Sequence, residues 1–341
     1  MSDRVLLTGI SGFLGGHVAL ALLAAGYTVR GSVRDRGKAE AVRQTLGRAG
    51  ADVSRLEFVE LDLLRGDGWD AAMEGVRYLQ HTASPFLLRM PKDRMALVRP
   101  AVEGTARALE AGLKADVERI VLTSSMAAIA YGHDISRTAP FTADDWTDLD
   151  GRGGVNSYVE SKTRAERRAW EIMDAARRTA DLSVINPSFI LGPLLDRDPG
   201  TSAAVIQRLM NGSIPAAPRI PLVIVDVRDV AAAHVAAMTA AEAGGRRFPV
   251  AERTLYLREI AAILRQAFPE RARKIPRREM PDWIVRLYGL FDRDVRSNAG
   301  ELGVFRRVDS SAVVRLLGRE LVPAREAIVA TGESVIREGL I

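Results

Sequence analysis

Arg4-Val5-Leu6-Leu7-Thr8-Gly9-Ile10-Ser11-Gly12-Phe13-Leu14-Gly15 is the stretch that decides the fold. Its first five residues form a short apolar run, and a glycine-rich turn follows directly. Leu14, Val18, Leu22 and Ala25 then recur at helical spacing until Gly26 closes the pattern. A strand that runs through such a turn into a helix is the local geometry of a dinucleotide phosphate site. Bare backbone at Gly9 and Gly12 lets a pyrophosphate approach, and free N–H groups at the positive end of the helix dipole hold its charge. Gly15 lets the helix pack close to the sheet. The spacing is G-x-x-G-x-x-G, not the commoner G-x-G-x-x-G.

Working outward, Tyr27 to Val33 reads as a second strand ending at Arg34-Asp35-Arg36, where a dinucleotide fold meets the adenosine ribose. An acidic residue there suits the 2′-hydroxyl of NAD(H), and an arginine suits a 2′-phosphate. Arg34 comes first, with Arg36 and Lys38 behind it, which favours NADP(H). Asp35 keeps NAD(H) open. Leu56–Leu61 is a third strand, leading to Asp62-Leu63. Val76–His81 is a fourth and Arg119–Thr123 a fifth, the latter ending at Ser124-Ser125. A helix around Leu97–Ala111 separates these two, and Leu182–Asn186 is a sixth strand. Strands alternating with helices predict an α/β fold with a doubly wound parallel sheet, whose ligands sit at the carboxyl ends of the strands.

Asn156 to Ala176 reads as a long helix carrying Tyr158-Val159-Glu160-Ser161-Lys162, preceded by a loop-like stretch, Gly132 to Gly154. Tyrosine and lysine four apart share one helix face. An ammonium beside a phenol favours the phenolate, so the expectation is a phenol pKa below its usual value of about 10. The pair gains meaning from the serines at the end of the preceding strand and the glycine turn at the start.

Past Pro193 the texture changes. Pro215, Pro218 and Pro221 interrupt the chain, followed by Leu222–Val225, a small-residue helix and Phe248-Pro249-Val250. Helices at Leu257–Phe268 and near Arg325–Glu338 complete it. The domain expectation is a dinucleotide-binding unit over residues 1–190, with 222–250 returning to it, and a substrate-binding lobe mainly over 191–341.

The 341 residues are 47% hydrophobic and 27% charged, ordinary for a globular protein. There is no cysteine, which excludes disulfides and thiolate metal sites. No apolar run reaches bilayer length, and Met1-Ser2-Asp3-Arg4 leaves no room for a signal peptide, so the expected compartment is the cytoplasm. The net charge of +5 is small, and the basic run Arg271–Arg278 reads as a solvated face rather than a nucleic-acid footprint. His17, His81, His133 and His234 show no ligand spacing; no metal is expected.

Together, Thr8-Gly9-x-x-Gly12-Phe13-Leu14-Gly15, Thr123-Ser124-Ser125, Tyr158-x-x-x-Lys162 and Asn186-Pro187-x-x-x-x-Gly192-Pro193 resemble the extended short-chain dehydrogenase/reductases over essentially the whole chain. Val33-Arg34-Asp35, His81-Thr82-Ala83-Ser84-Pro85 and Asp145-Trp146-Thr147-Asp148 resemble the dihydroflavonol 4-reductase-like branch of NADPH-dependent carbonyl reductases. The resemblance implies Ser125, Tyr158 and Lys162 as the catalytic set. It implies cofactor contacts from Thr8, Gly9, Ser11, Gly12, Phe13, Leu14 and Gly15, with Arg34 and Lys38 on the adenosine phosphate. Asp62 and Leu63 match the adenine contact. Thr82, Ala83 and Ser84 follow the fourth strand. Ser124 is matched nearer the nicotinamide, along which Pro187, Ser188 and Phe189 pass, and Tyr158 and Lys162 also touch the cofactor. The implied reaction is reduction of a small aldehyde or ketone, with no membrane or nucleic-acid partner; a homodimer is compatible with it. Hydroxysteroid or other alcohol oxidation, sugar-nucleotide epimerisation or dehydration, and a non-catalytic cofactor sensor are the alternatives. Ala130 stands where the plant flavonoid enzymes carry a ring-contacting asparagine, which argues against a flavonoid. Glu103-Gly104-Thr105 likewise replaces the usual Asn-Gly-Thr.

Overall fold

A computed structural model describes residues 3–84, 93–151, 154–291, 296 and 299–341; Pro85, one of the residues carrying the resemblance, lies outside them. The apolar runs form a seven-stranded, all-parallel sheet. Its strands are β1 (Arg4–Thr8), β2 (Thr28–Val33), β3 (Leu56–Glu60), β4 (Tyr78–His81), β5 (Arg119–Thr123), β6 (Leu182–Pro187) and, after three strands elsewhere, β10 (Arg246–Val250). The order is β10-β6-β5-β4-β1-β2-β3, so the chain reverses direction across the sheet between β1 and β4. Both faces of a parallel sheet must be covered. Helices α3 (Trp69–Met73), α4 (Met95–Lys114) and α5 (Ser157–Ala175) bury Leu6, Leu79, Ile120 and Val184 on one face. Helices α1 (Phe13–Ala24), α2 (Ala39–Arg48) and α7 (Val227–Thr239) bury Val5, Leu7, Val29 and Ile185 on the other. Register pairs Thr8 with His81, His81 with Leu122 and Thr123 with Ile185. The strands therefore end in one row, which brings the turns after them together.

The remaining strands make small sheets of the second lobe. β7 (Phe189–Leu191), β9 (Pro221–Asp226) and β11 (Arg253–Tyr256) form one, and β8 (Ala217–Pro218) with β12 (Glu279–Met280) another. Leu191, Ile206, Leu209, Leu257, Ile260 and Ile328 form the lobe's core, with α6 (Gly200–Asn211), α8 (Leu257–Ala267) and the C-terminal helix Ala324–Arg337 around it. β9 pairs with β7 and β11 rather than with the larger sheet, while its Val225 packs in that sheet's core on the α1/α7 side. The helix Ser311–Leu317 also packs on the sheet's α1/α7 side through Val313.

The buried histidines tie these layers together. His234 of α7 meets Gln80 Oε1 at 2.8 Å and Thr123 Oγ1 at 2.9 Å, and its carbonyl accepts the Gln80 amide at 2.9 Å. His81 meets Thr8 Oγ1 at 2.8 Å. Burial lowers the pKa of each to about 3 from 6.5, and the Lys162 ammonium adds to the effect at His81. Both rings are thus neutral when folded, while unfolded chains bind protons below about pH 6.5. Stability contributed by the two neutral rings is complete above that pH and is lost as pH falls toward 3. By pH 4.5 the expected loss is roughly 2–3 kcal/mol per ring. Urea midpoints at neutral pH and in this acid range test it; equal midpoints would contradict the neutral, buried assignment.

Candidate functional site

The glycine turn is built by close approach. Gly9 has φ +77°, and a Cβ there would lie 2.9 Å from Ala83 backbone atoms. A Cβ on Gly15 would lie 2.0 Å from the Gly9 carbonyl oxygen, so Gly15 serves the fit of helix onto turn. Gly12, by contrast, has an ordinary φ of −87°, and its Cβ would meet nothing closer than that oxygen at 3.4 Å. Ser11 and Gly12 are exposed at the mouth of the turn. As N-cap of α1, Gly12 offers no side chain to the first N–H groups, and no acidic residue stands in the first turn. An uncapped, uncountered helix N-terminus behind a bare backbone suits a pyrophosphate. Phe13 and Leu14 turn their side chains to the lobe and to the sheet core respectively, which leaves only their backbone for an anion.

The loop after β4 is clamped onto this turn. Thr82 Oγ1 donates to the Thr8 carbonyl at 2.6 Å, and the Ala83 N–H donates to Thr8 Oγ1 at 3.2 Å. Thr8 is fully buried, so it holds Ala83 in place rather than facing the mouth. Ser84 is half-buried beyond it. At the end of β2, Arg34, Asp35, Arg36 and Lys38 are all exposed. Asp35 accepts the Gly37 N–H at 2.8 Å and caps the short 3-10 turn Arg36–Lys38. That local bond explains an acidic residue here without a ribose contact. Asp62 similarly accepts the Leu64 N–H at 2.9 Å, and Leu63 packs where Gly104 has no side chain. Gly104 serves that approach whatever residue precedes it.

The reacting groups come from β5 and α5. Asn156 Oδ1 accepts the N–H groups of Tyr158 and Val159, each at 3.0 Å, and starts α5 at the residue before Ser157. Tyr158 and Lys162 follow one turn apart on this anchored helix. The Ser125 hydroxyl lies near enough to the Tyr158 phenol to act on its pKa, and Ser125 Oγ accepts the Ala127 N–H at 3.1 Å. The structure thus brings Ser125 and Tyr158 near each other, with Lys162 one turn further along α5.

Electrostatics differ from the expectation. The Tyr158 phenol is raised above its usual pKa, because burial disfavours the phenolate and the nearby Ser125 hydroxyl only partly opposes it. The Lys162 ammonium is lowered to about 8 by burial, with Glu166 pulling the other way. Lys162's charge is felt at His81, on the side of β4.

Ser124 is also corrected. Its hydroxyl donates to Glu166 Oε2 at 2.5 Å, behind the site. Ser125 is extended (φ −164°, ψ 157°), so the two neighbouring serines point to opposite sides. Pro187 ends β6, and the Ser188 N–H donates to the Val250 carbonyl at 3.0 Å. Ser188 Oγ is buried without a hydrogen-bond partner among the described residues, an open polar group where the nicotinamide segment is expected. Phe189 leans on the lobe core instead. Taken with the open α1 terminus, the orphaned Ser188 hydroxyl and the exposed Arg34 and Lys38, the donor set fits a phosphorylated dinucleotide.

Sequence reasoning missed Tyr131. Ala130 itself is buried against Met126, Ile129 and Phe141. Its neighbour Tyr131 has the Arg306 guanidinium 4.2 Å from its ring centre, with Arg306 paired to Glu301. The Tyr131 phenol is pushed up to about 12, mainly by burial, with Tyr158 near enough to contribute. A residue beside the asparagine position is silent in a motif, since only the backbone path shows which side chain faces Tyr158.

Residues 5–251 match the NAD dependent epimerase/dehydratase family. Among curated relatives, cinnamoyl-CoA reductase CAD2 of Medicago truncatula is 37% identical over 273 residues, covering 79% of this chain and 82% of that protein. Tetraketide alpha-pyrone reductase 2 of Arabidopsis thaliana is 35% identical over 273 residues, covering 78% and 83%. Among solved structures, the yeast methylglyoxal/isovaleraldehyde reductase Gre2 complexed with NADPH superposes with a TM-score of 0.82 at 28% identity, covering 99% of this chain and 100% of that one. With the glycine turn and the parallel sheet in hand, the chain belongs to the NAD dependent epimerase/dehydratase family, the extended short-chain dehydrogenase/reductases.

Proposed function

We propose that this NAD(P)-dependent oxidoreductase uses NADPH to reduce a small aldehyde or ketone to the alcohol. The observation that carries the reading is the buried Tyr158 phenol near Ser125, on the helix that also carries Lys162, at the strand ends that hold the open α1 terminus. The similarity to an NADPH-bound aldehyde reductase and to cinnamoyl-CoA reductases supports both cofactor and substrate class. Bound NADPH supplies the hydride. Ser125 and Tyr158 donate hydrogen bonds to the carbonyl oxygen, polarising it, and Tyr158 gives its proton to the alkoxide. A phenol held neutral by burial is in the donor form that reduction needs. Lys162 holds the nicotinamide ribose and returns a proton to the tyrosinate. Arg34 and Lys38 take the 2′-phosphate, and the lobe formed mainly by residues 191–341 supplies the substrate contacts. No helix among the described residues is long and apolar enough to cross a membrane, and the lack of cysteine agrees with a cytoplasmic place of action.

Arg34→Ala should weaken NADPH binding far more than NADH binding, since only the former has a 2′-phosphate to lose. Equal Michaelis constants for the two cofactors in the wild type would sink that assignment.

Gly12→Val meets no close atom of the turn, so the fold should survive while a branched side chain blocks the pyrophosphate. Fluorescence titration with NADPH should show lost affinity alongside an unchanged circular dichroism spectrum. Retained affinity would mean the phosphates bind elsewhere.

Tyr158→Phe should lower kcat by at least the roughly 10²–10⁴-fold of a lost general acid, with little change in NADPH affinity. Ser125→Ala should cost less, and Lys162→Met should impair both turnover and binding. The reading requires a wild type active on a panel of aldehydes and ketones. Turnover of Tyr158→Phe within a few-fold of it would refute the mechanism.

A further inference from the structure

Behind the reacting groups lies a buried ionic cluster that the mechanism does not use. Glu166 stands one turn after Lys162 on α5, its side chain fully buried. Its Oε2 accepts Ser124 Oγ at 2.5 Å and Asn186 Nδ2 at 2.7 Å. Its Oε1 accepts Arg247 Nε at 2.5 Å and Trp170 Nε1 at 3.3 Å. Arg247, on edge strand β10, donates through Nη1 to the carbonyls of Ala143 at 2.7 Å and Asp145 at 2.6 Å. Its guanidinium lies 3.9 Å from the centre of the Trp146 ring. Asn186 Nδ2 reaches in addition to the Ser125 carbonyl at 3.3 Å.

A buried ion pair gives little net stability over a well-packed apolar pair, because both charges must be desolvated. Here one carboxylate joins three parts of the site: the end of β5 beside Ser125, the end of β6 before Pro187, and the helix that carries Tyr158 and Lys162. Four donors satisfy its lone pairs and fix its place. We propose that Glu166, anchored by Arg247, is a positioning residue: it locks the Ser124-Ser125 turn and Asn186 to α5 and presents a fixed negative charge to Lys162.

Among the described residues, the charged and titratable groups facing Lys162 are His81 at the end of β4 and Glu166 on its own helix, with Tyr158 a turn before it and Arg247 of β10 behind Glu166. His81 is neutral, so Glu166 supplies the counter-charge. Burial drives the ammonium down, and among the described residues Glu166 opposes it. Removing that charge should move the loss of the Lys162 proton to lower pH.

The proposal rests on the assignment of Lys162 to the cofactor. The experiment is the pH dependence of the NADPH dissociation constant in the full-length protein, read between about pH 6 and 10. Wild-type affinity should decline as Lys162 loses its proton. In Glu166→Gln the midpoint should shift down by about one pH unit, the order expected of one nearby charge in a protein interior. Glu166→Asp should restore the midpoint toward wild type. Should Glu166→Gln fail to fold, Glu166→Gln/Arg247→Met removes the pair together and should shift the midpoint in the same direction. A folded variant with lowered melting temperature and an unshifted profile would overturn the proposal and leave the pair a purely structural one. No carbonyl substrate enters this measurement, so inactivity of the wild type on the substrate panel is a separate failure. Wild-type NADPH affinity in Lys162→Met would likewise refute the Lys162 assignment, not the Glu166 charge.

Discussion

The Gly9 carbonyl oxygen is the point on which the site depends. It accepts the Gly12 N–H at 3.0 Å, and it occupies the space that a side chain on Gly15 would need. On its other flank Gly9 presses against the Ala83 backbone, which Thr8 and Thr82 hold down by hydrogen bonds. Strand β1, helix α1 and the loop after β4 therefore share one contact with no slack. That contact sets the entry angle of α1. Of the three glycines Gly12 is the least crowded, its Cβ meeting nothing closer than the Gly9 oxygen at 3.4 Å among the described residues, so close packing of the turn does not itself require a glycine there.

The same constraint explains what was legible in the sequence. A strand with Val5, Leu6 and Leu7 buried on both faces reads as an unbroken apolar run, and α1 reads as a periodic one. Asn156 marks the start of α5 because a capping side chain has a short-range signature. The glycine turn, Ser125, Tyr158 and Lys162 all lie within such local patterns, at the turn after β1, the end of β5 and the first turns of α5. The direction of Ser124 was not legible, since Ser-Ser in sequence says nothing about which hydroxyl faces the ligand. Asp35 misleads for a related reason: a carboxylate at a strand end can bind a ribose or cap a turn, and the Gly37 N–H takes it.

Long-range partners escape the sequence altogether. Glu166 and Arg247 are 81 residues apart, and each reads alone as a surface charge on a helix or an edge strand. Their burial follows from topology, which places β10 next to β6 and lays α5 against the other side of the same strands. The pairing of β9 is hidden in the same way, because β9 is as apolar as any strand of the main sheet yet pairs with β7.

The pKa pattern then follows from burial rather than from the pairing of Tyr158 with Lys162. A phenol and an ammonium withdrawn from water both shift toward their neutral forms. For Tyr158 that means a retained proton; for Lys162 it means a charge held only loosely near pH 8. The cations after β2, Arg34 and Lys38, are exposed, so they do not reach into this balance. In the proposed reading, charge recognition and proton donation are thus separated along the strand ends, the first in solvent and the second out of it.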